Sequence, residues 1–161
     1  MTIQGFDAAT FANIPDTADF AFLYADGDYK VTTQQIAERF PRGLRGRWIS
    51  VLAEADVDID DCETGAIRVQ QLPARITAWD KTHPDGPVKV VYCNRSTLPA
   101  VQAACSGLQY RVWLATLDGS TAGEFYSGAS LVACQYATVD NAYDVSAIYD
   151  PAWASNWLWR P

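Results

Sequence analysis

Short apolar runs recur along this chain with helical or loop segments between them, and this alternation limits the fold more than any other feature of the sequence. Eight runs have the length and residue types of β-strands. They cover residues 2–6, 19–24, 47–52, 57–61, 88–93, 110–116, 130–136 and 143–148. Strands that alternate with helical segments are typical of a parallel α/β sheet rather than of a β-sandwich.

Three helices are predicted between these strands. Segment 32–40 begins with a threonine cap and stops at a proline. Segment 66–82 has apolar residues at mostly helical spacing, with a proline at a kink or in the first turn. Segment 96–105 has a Ser or Thr cap and ends before a glycine. The later connections, 118–123 and 138–142, are too short and too rich in turn residues to hold full helices.

The strand count predicts a compact (β/α)8 TIM-like barrel with short or missing helices in its second half, formed by residues 1–161 as one domain. Such barrels usually need about 250 residues, so this chain must have lost helices. The structural alternative is a flavodoxin-like open sheet with five or six strands and a phosphate site, but neither Gly-rich phosphate motif is present. In the tail, Trp153 and Trp157 are four residues apart, so we expect the tail to pack across the barrel.

The charge and composition of the chain argue against some classes of binding partner and favour others. The formal net charge is -7 and the pI is near 4.5, which argues against a nucleic-acid surface and against a basic membrane-binding patch. A neutral or carbohydrate ligand fits better, and the six Trp and eight Tyr could stack on sugar rings. We expect no signal peptide and no membrane span, because no charged n-region with an apolar h-region opens the chain.

Metal and cofactor chemistry is not expected. The four cysteines include no C-x-x-C pair, so a zinc site is not predicted. A disulfide between Cys93 and Cys105 and buried free thiols both remain open. The single histidine, His83, lies in a loop rich in turn residues, so a His-based triad has poor support.

The tripeptide Asp61-Cys62-Glu63 places two carboxylates at positions i and i+2 of an extended segment. In a strand such residues point to the same face, so both acids would project together from the C-terminal end of the strand. The strand phase favours Asp61 and Glu63 as the inward pair, while Asp58 and Asp60 would face the other way.

Three other acids follow or interrupt apolar runs, namely Asp7, Asp26 and Asp144. In a parallel barrel the functional face is the C-terminal end of the strands. Two carboxylates placed close together there, such as Asp61 and Glu63, can split into a protonated acid and an ionised partner, as glycoside cleavage requires. The alternative is a solvated acidic loop, because acids in loops usually face water.

Candidate substrate-binding side chains also lie near the strand ends. They are Tyr24, Asp26, Tyr92, Trp113, Gln135 and Tyr136. The aromatic members would form a rim on which sugars stack, and the alternative for them is core filling.

Six motifs, taken in order, resemble those of the lysozymes of glycoside hydrolase family 25 and of related glycoside-hydrolase-like barrels in actinobacteria and their phages. The motifs cover residues 5–7, 19–23, 61–63, 90–94, 110–115 and 134–136 with 143–145. The opening Gly5-Phe6-Asp7 and the central Asp61-Cys62-Glu63 are similar to the G-[FI]-D and D-x-E motifs of that family. The resemblance spans almost the whole chain.

The resemblance implies a peptidoglycan hydrolase of the muramidase type, which cleaves the β-1,4 bond between N-acetylmuramic acid and N-acetylglucosamine. Glu63 would be the general acid. Asp61 would act as the base or orient the substrate's N-acetyl arm, which serves as nucleophile in a substrate-assisted route. Asp7 and Asp144 would keep Glu63 protonated and stabilise positive charge at the anomeric carbon. No cofactor is implied.

A second hypothesis is a catalytically inactive barrel of the same type that binds carbohydrate or serves as a structural module of a phage virion. Short loops favour it, as does Cys134 in place of the family's usual tryptophan. Components of a phage particle are then expected partners beside the glycan strand. The expected location is extracellular, virion-associated or released at lysis, and otherwise cytoplasmic. A small nucleotide-binding protein is a third hypothesis, disfavoured by the missing phosphate loop.

Overall fold

The structure, a computed structural model, describes residues 3–63, 65–119 and 130–160. Residue 2 of the first predicted strand and residues 120–123 of a predicted connection lie outside the described residues. The described strands are β1 (Ile3–Asp7), β2 (Phe20–Tyr24), β3 (Leu44–Ser50), β4 (Ile59–Asp61), β5 (Val90–Asn94), β6 (Arg111–Ala115), β7 (Ser130–Val139), β8 (Tyr143–Ile148) and β9 (Trp157–Trp159). The described α-helices are α1 (Thr33–Arg39), α2 (Leu72–Thr82) and α3 (Leu98–Ala104).

The first eight strands form a closed barrel. Their order is β2-β1-β8-β7-β6-β5-β4-β3, and a further pairing between β2 and β3 closes the ring. Strands β1 to β7 run parallel to one another. The predicted barrel is therefore confirmed, and the open flavodoxin-like sheet is excluded because both of its edges would have to be free.

The eighth strand departs from a regular (β/α)8 arrangement. It runs antiparallel to both β7 and β1. Asp140 and Asn141, between β7 and β8, both have positive φ, and the Ala142 N–H bonds to the Val139 carbonyl at 2.8 Å. This is a tight hairpin turn, whereas a parallel return needs a crossover of about a dozen residues. In the described residues after position 104 no α-helix is present, so the regular alternation of strand and helix is not confirmed.

Local sequence signals explain where the helices begin. The Thr32 hydroxyl accepts the Gln35 N–H, and the Gln35 side-chain oxygen accepts the Thr32 N–H at 2.8 Å, which forms a capping box before α1. Helices α2 and α3 each carry a proline in the first turn, where its missing N–H costs nothing. The helix predicted over 66–82 is thus shorter than expected, because a 3-10 turn (Val69–Gln71) precedes α2.

Aromatic and aliphatic side chains fill the barrel interior. Phe22 stacks on Trp113 with ring centroids 3.9 Å apart, and Phe20 packs edge-on against Phe22. Gly5 of β1 faces these rings, and a Cβ there would lie 2.6 Å from the Phe22 ring. The interior below the strands' C-terminal ends is therefore a packed core, so any ligand site must lie at an open end.

The tail closes the opposite end of the barrel. Trp153 is 4% exposed and packs on Phe20 and Phe22, with the Arg47 guanidinium 5.1 Å from its ring centroid. Trp157, by contrast, lies in β9, which pairs antiparallel with the start of β3, and is 43% exposed. The tail therefore packs across the barrel as expected, but as a 3-10 turn followed by a strand instead of a helix.

The four cysteines are buried free thiols. Cys62, Cys93 and Cys105 share the apolar layer between the barrel wall and helices α2 and α3. Of the two alternatives left open by the sequence, the structure has the free thiols. Among the described residues, no helix is both long and apolar enough to cross a bilayer.

Candidate active site

Four carboxylates gather at the C-terminal end of the parallel strands. Asp7 is the last residue of β1, Asp61 is the last residue of β4, and Glu63 follows two residues later. Asp144 lies at the start of β8, but β8 runs in the opposite direction, so its start is at the same end of the barrel. Asp7 and Asp144 are direct partners in the β1–β8 ladder, which places their side chains next to each other on one face.

The chain turns sharply after Asp61 and thereby positions Glu63. The Asp61 side-chain oxygen accepts the Glu63 N–H at 3.0 Å, and the Asp61 carbonyl accepts the Ile67 N–H at 3.0 Å. Between the two acids, Cys62 is buried in the outer apolar layer and its N–H bonds to the Tyr92 carbonyl. This Asx-turn links the two acids through the backbone, so Asp61 orients the segment that carries Glu63.

Asp7 belongs to a buried hydrogen-bonded chain. The Tyr92 hydroxyl donates to the Gln135 side-chain oxygen, and the Gln135 amide donates to both oxygens of Asp7 at 3.3 Å. Below them, the Trp113 indole N–H donates to the Ser146 hydroxyl at 3.0 Å. Because the oxygen end of the Gln135 amide accepts from Tyr92, its NH₂ end points at Asp7.

Three of the four acids have raised pKa values. Burial, and then the charge of Asp144, raise the pKa of Asp7 well above its usual range. Burial raises the pKa of Asp61 to about 7; the Glu63 N–H opposes this shift and the Glu63 charge adds to it. Burial also raises the pKa of Glu63. Among the described residues, no lysine or arginine forms an ion pair with any of the four acids.

Tyr24 at the end of β2 faces the same cluster. The pKa of its hydroxyl is raised first by burial and then by the negative charges of all four acids. A tyrosine in this field stays protonated, so it can donate a hydrogen bond to a ligand. Half-exposed Tyr29 packs against it with ring centroids 5.6 Å apart and forms an aromatic rim beside the acids.

Asn94 at the end of β5 is a site residue that the sequence interpretation missed. Its side-chain oxygen accepts three hydrogen bonds, from the Ser96 hydroxyl and from the N–H and hydroxyl of Thr97. These bonds fix the amide, whose donor end lies near Glu63 and lowers the pKa of that acid against the effect of burial. The signal was available: a polar residue ends a strand at the functional end of the barrel.

Two candidate substrate-binding residues lie apart from the acidic cluster. The Asp26 carboxylate accepts hydrogen bonds from the Ser50 hydroxyl and from four backbone N–H groups, those of residues 51, 52, 54 and 55. These bonds fix the β3–β4 connection. The Asp26 oxygens therefore have few acceptor sites left for a ligand. Tyr136 lies on the outer face of the barrel, where its hydroxyl accepts a hydrogen bond from Gln4. A bulge in β7 separates it from Gln135, which faces inward.

Trp113 sits beneath the cluster as its floor. It is 1% exposed, and its ring lies between Phe22 and Tyr92. Its contacts are those of a core residue, so it can support Tyr92 but offers almost no surface to a ligand.

A buried ion cluster supports β4 from outside the barrel. Asp60 is completely buried and accepts two hydrogen bonds from the Arg75 guanidinium, at 2.7 and 2.9 Å, while the Lys89 ammonium is 3.1 Å away. Arg75 also donates to the carbonyls of Ala53 and Ala55. Asp60 thus faces away from Asp61, as predicted by the strand phase, and this pairing fixes which side of β4 faces inward.

A cleft opens on one side of Glu63, between the β4–α2 connection and the start of α3. It is lined by Cys62, Glu63, residues 65–70 and Thr97, and its volume is about 550 Å³. We refer to it as the Glu63 cleft. Within the described part of the chain, no group of three or more His, Cys, Asp or Glu side chains is arranged to hold a metal ion.

The fold is similar to that of a solved structure, the Tat-secreted protein Rv2525c of Mycobacterium tuberculosis in complex with L-tartrate. The TM-score is 0.55 at 15% sequence identity, and the match covers 95% of this chain and 97% of that chain. At this identity the likeness concerns the fold alone. No protein-family model and no curated protein matches the sequence.

Proposed function

We propose that this protein is a glycoside hydrolase of the muramidase type, related to the family 25 lysozymes, that acts on the glycan strands of peptidoglycan. The observation that carries the proposal is the cluster of four carboxylates at one open end of the barrel, with raised pKa values at three of them and no cationic partner among the described residues. A raised pKa lets a carboxyl group keep its proton to higher pH than usual, which suits the general acid of glycosidic cleavage.

The roles follow from exposure and from hydrogen bonds. Glu63 borders the open cleft, so it is the acid that can reach a glycosidic oxygen and protonate it as the bond to the anomeric carbon breaks. Asp61, more deeply buried and directly behind it, orients the substrate's N-acetyl arm or accepts the proton of the incoming water. Asp7 and Asp144 lie across the cluster and stabilise positive charge at the anomeric carbon.

The proposed reaction is balanced in protons. The proton of Glu63 passes to the leaving oxygen as the glycosidic bond breaks. The N-acetyl oxygen of the substrate or a water molecule attacks the anomeric carbon and forms the new bond. Water finally supplies the new anomeric hydroxyl, and its remaining proton returns to the carboxylates.

The Tat-secreted neighbour of the same fold supports a site of action outside the cytoplasm for this chain.

Turnover of purified peptidoglycan tests the proposal. Glu63→Gln keeps the size of the side chain but removes its acid function, so we expect a loss of about 10²- to 10⁴-fold in rate. Glu38→Gln makes the same chemical change on the exposed face of α1 and should leave the rate unchanged. Equal rates for wild type and Glu63→Gln would overturn the proposal. Glycan binding without turnover by the wild type would point instead to the inactive carbohydrate-binding or virion module.

A further inference from the structure

The Glu63 cleft extends the acidic cluster in one direction and has its own chemical character. Its volume of about 550 Å³ lies within the range of small-molecule sites. Glu63 belongs to its wall, so a ligand that touches Glu63 can continue into the cleft. Under the proposed function, this space receives the part of the glycan that lies beyond the bond to be cleaved.

The lining of the cleft combines apolar and polar groups with one cation. Partly buried Val69 provides apolar surface, while Gln70 and Thr97 can form hydrogen bonds. Arg68 supplies a positive charge, is exposed, and forms no ion pair among the described residues. An arginine without a partner presents a planar set of donors that matches a carboxylate.

The negative charge around Arg68 indicates which kind of ligand the cleft can bind. The chain has a net charge of -7, and four acids lie at the same end of the barrel. A negatively charged ligand is repelled by such a surface unless a cation compensates its charge. A neutral sugar has no need of that cation, and a positively charged ligand would be repelled by it.

We propose that the Glu63 cleft binds a carboxylate-bearing substituent of the glycan, with Arg68 as its counter-ion. The inference rests on the proposed function, since it takes the glycan as the ligand, and it adds a specificity for anionic over neutral glycans. Arg68 is a specificity-determining residue that does not touch the reacting atoms.

The test compares two forms of one ligand. Soluble peptidoglycan fragments with free carboxylates, and the same fragments after amidation, are titrated calorimetrically against full-length Glu63→Gln protein, which leaves the ligand intact. We expect the free-carboxylate form to bind about tenfold more tightly. Adding Arg68→Gln should abolish this preference, and Arg68→Lys should restore most of it. Arg42→Gln, a matched change of an exposed arginine before β3 at the opposite end of the barrel, should leave the preference unchanged.

The outcomes separate this inference from the proposed function. If both ligand forms bind equally or not at all, or if Arg68→Gln keeps the preference, the inference is overturned even when the wild type cleaves peptidoglycan. If the wild type does not cleave but the preference depends on Arg68, the proposed activity fails and the anionic site stands.

Discussion

At the scale of single residues, two aspartates that are both nearly buried have pKa values shifted in opposite directions. Asp26 is 5% exposed and Asp61 is 9% exposed. Burial would raise both values, but five hydrogen bonds to Asp26 stabilise its charged form and lower its pKa. Asp61 accepts one backbone hydrogen bond and faces Glu63. The five donors to Asp26, against one to Asp61, therefore help to separate a structural acid from an acid that can exchange protons.

Asp61→Asn should stabilise the protein at and above neutral pH. Because the pKa of Asp61 is about 7 in the folded chain and about 4 when unfolded, ionisation costs stability as pH rises from about 4 through about 7. The asparagine oxygen can still accept the Glu63 N–H. Thermal unfolding from pH 4 to 9 should show a gain of several degrees above pH 7 and little change near pH 4.

Asp80→Asn makes the same chemical change on the exposed face of α2 and is the control for this experiment; its melting temperatures should stay close to those of the wild type. A gain in melting temperature for Asp61→Asn that is the same at all pH values would contradict the prediction, since it would not arise from the titration of Asp61.

Asn94→Asp should raise the pKa of Glu63. Aspartate keeps an oxygen for the three hydrogen bonds from Ser96 and Thr97 but replaces the donor to Glu63 with a negative charge. NMR titration of protein labelled in the glutamate carboxyl carbons measures the change without any need for turnover. A pKa of Glu63 that stays constant or falls would show that Asn94 does not control it. The high-pH limb of any glycosidase activity should move in the same direction.

At the scale of elements, β4 shows how a strand of three residues is held in register. Its inner face carries Ile59 and Asp61, and its outer face carries Asp60, which is paired with Arg75 and Lys89. A slip of one residue would place Asp60 in the barrel and leave the buried Lys89 and the partly buried Arg75 without their carboxylate partner. The ion cluster thus excludes the register that would remove Asp61 from the site.

Asp60→Leu should destabilise the fold by about 3–5 kcal/mol, because it leaves the buried Lys89 ammonium and the partly buried Arg75 guanidinium without their carboxylate partner. The matched change Asp80→Leu, at an exposed position of α2, should stay within about 0.5 kcal/mol. Urea unfolding of both variants gives the comparison. Similar free energies of unfolding for Asp60→Leu and wild type would mean that the ion cluster does not hold β4.

The elements also show what the sequence could predict. The eight barrel strands followed from apolar periodicity, and the direction of β8 could have followed from the length of the 138–142 connection. That direction matters, because Asp144 is the second residue of its strand and would lie at the other end of an all-parallel barrel. The role of Asp26 could not be predicted, since it depends on which backbone groups of the distant β3–β4 connection meet its carboxylate. Strand β9 was missed because residues 157–159 carry no alternating pattern.

At the scale of the whole molecule, the two ends of the barrel differ in charge pairing and in packing. The C-terminal end of the parallel strands presents acids without cationic partners among the described residues. At the other end, Arg47 pairs with Asp58 at 2.9 Å and donates to the Trp153 carbonyl, and the Trp153 ring covers the core. One end is therefore available for a ligand, and the other is closed by packing and by a satisfied ion pair.

Trp153→Ala should destabilise the molecule by about 3–5 kcal/mol, because it removes the buried ring that covers the barrel and leaves a cavity beside Phe20. Trp157→Ala deletes the same side chain four residues later, where the ring is 43% exposed, and should cost about 1 kcal/mol or less. Chemical denaturation measures both. Equal losses for the two variants would show that Trp153 does not close the barrel.

The buried acids also couple folding to the uptake of protons from the solvent. Since Asp7 and Asp61 hold their protons more tightly in the folded state, folding near neutral pH takes up hydrogen ions, and unfolding releases them. The heat of unfolding must then include the heat with which the buffer absorbs those ions. Scans in phosphate and in Tris at the same pH will therefore give different apparent enthalpies, and the difference measures the net number of protons that the whole molecule releases on unfolding, to which Asp7 and Asp61 contribute.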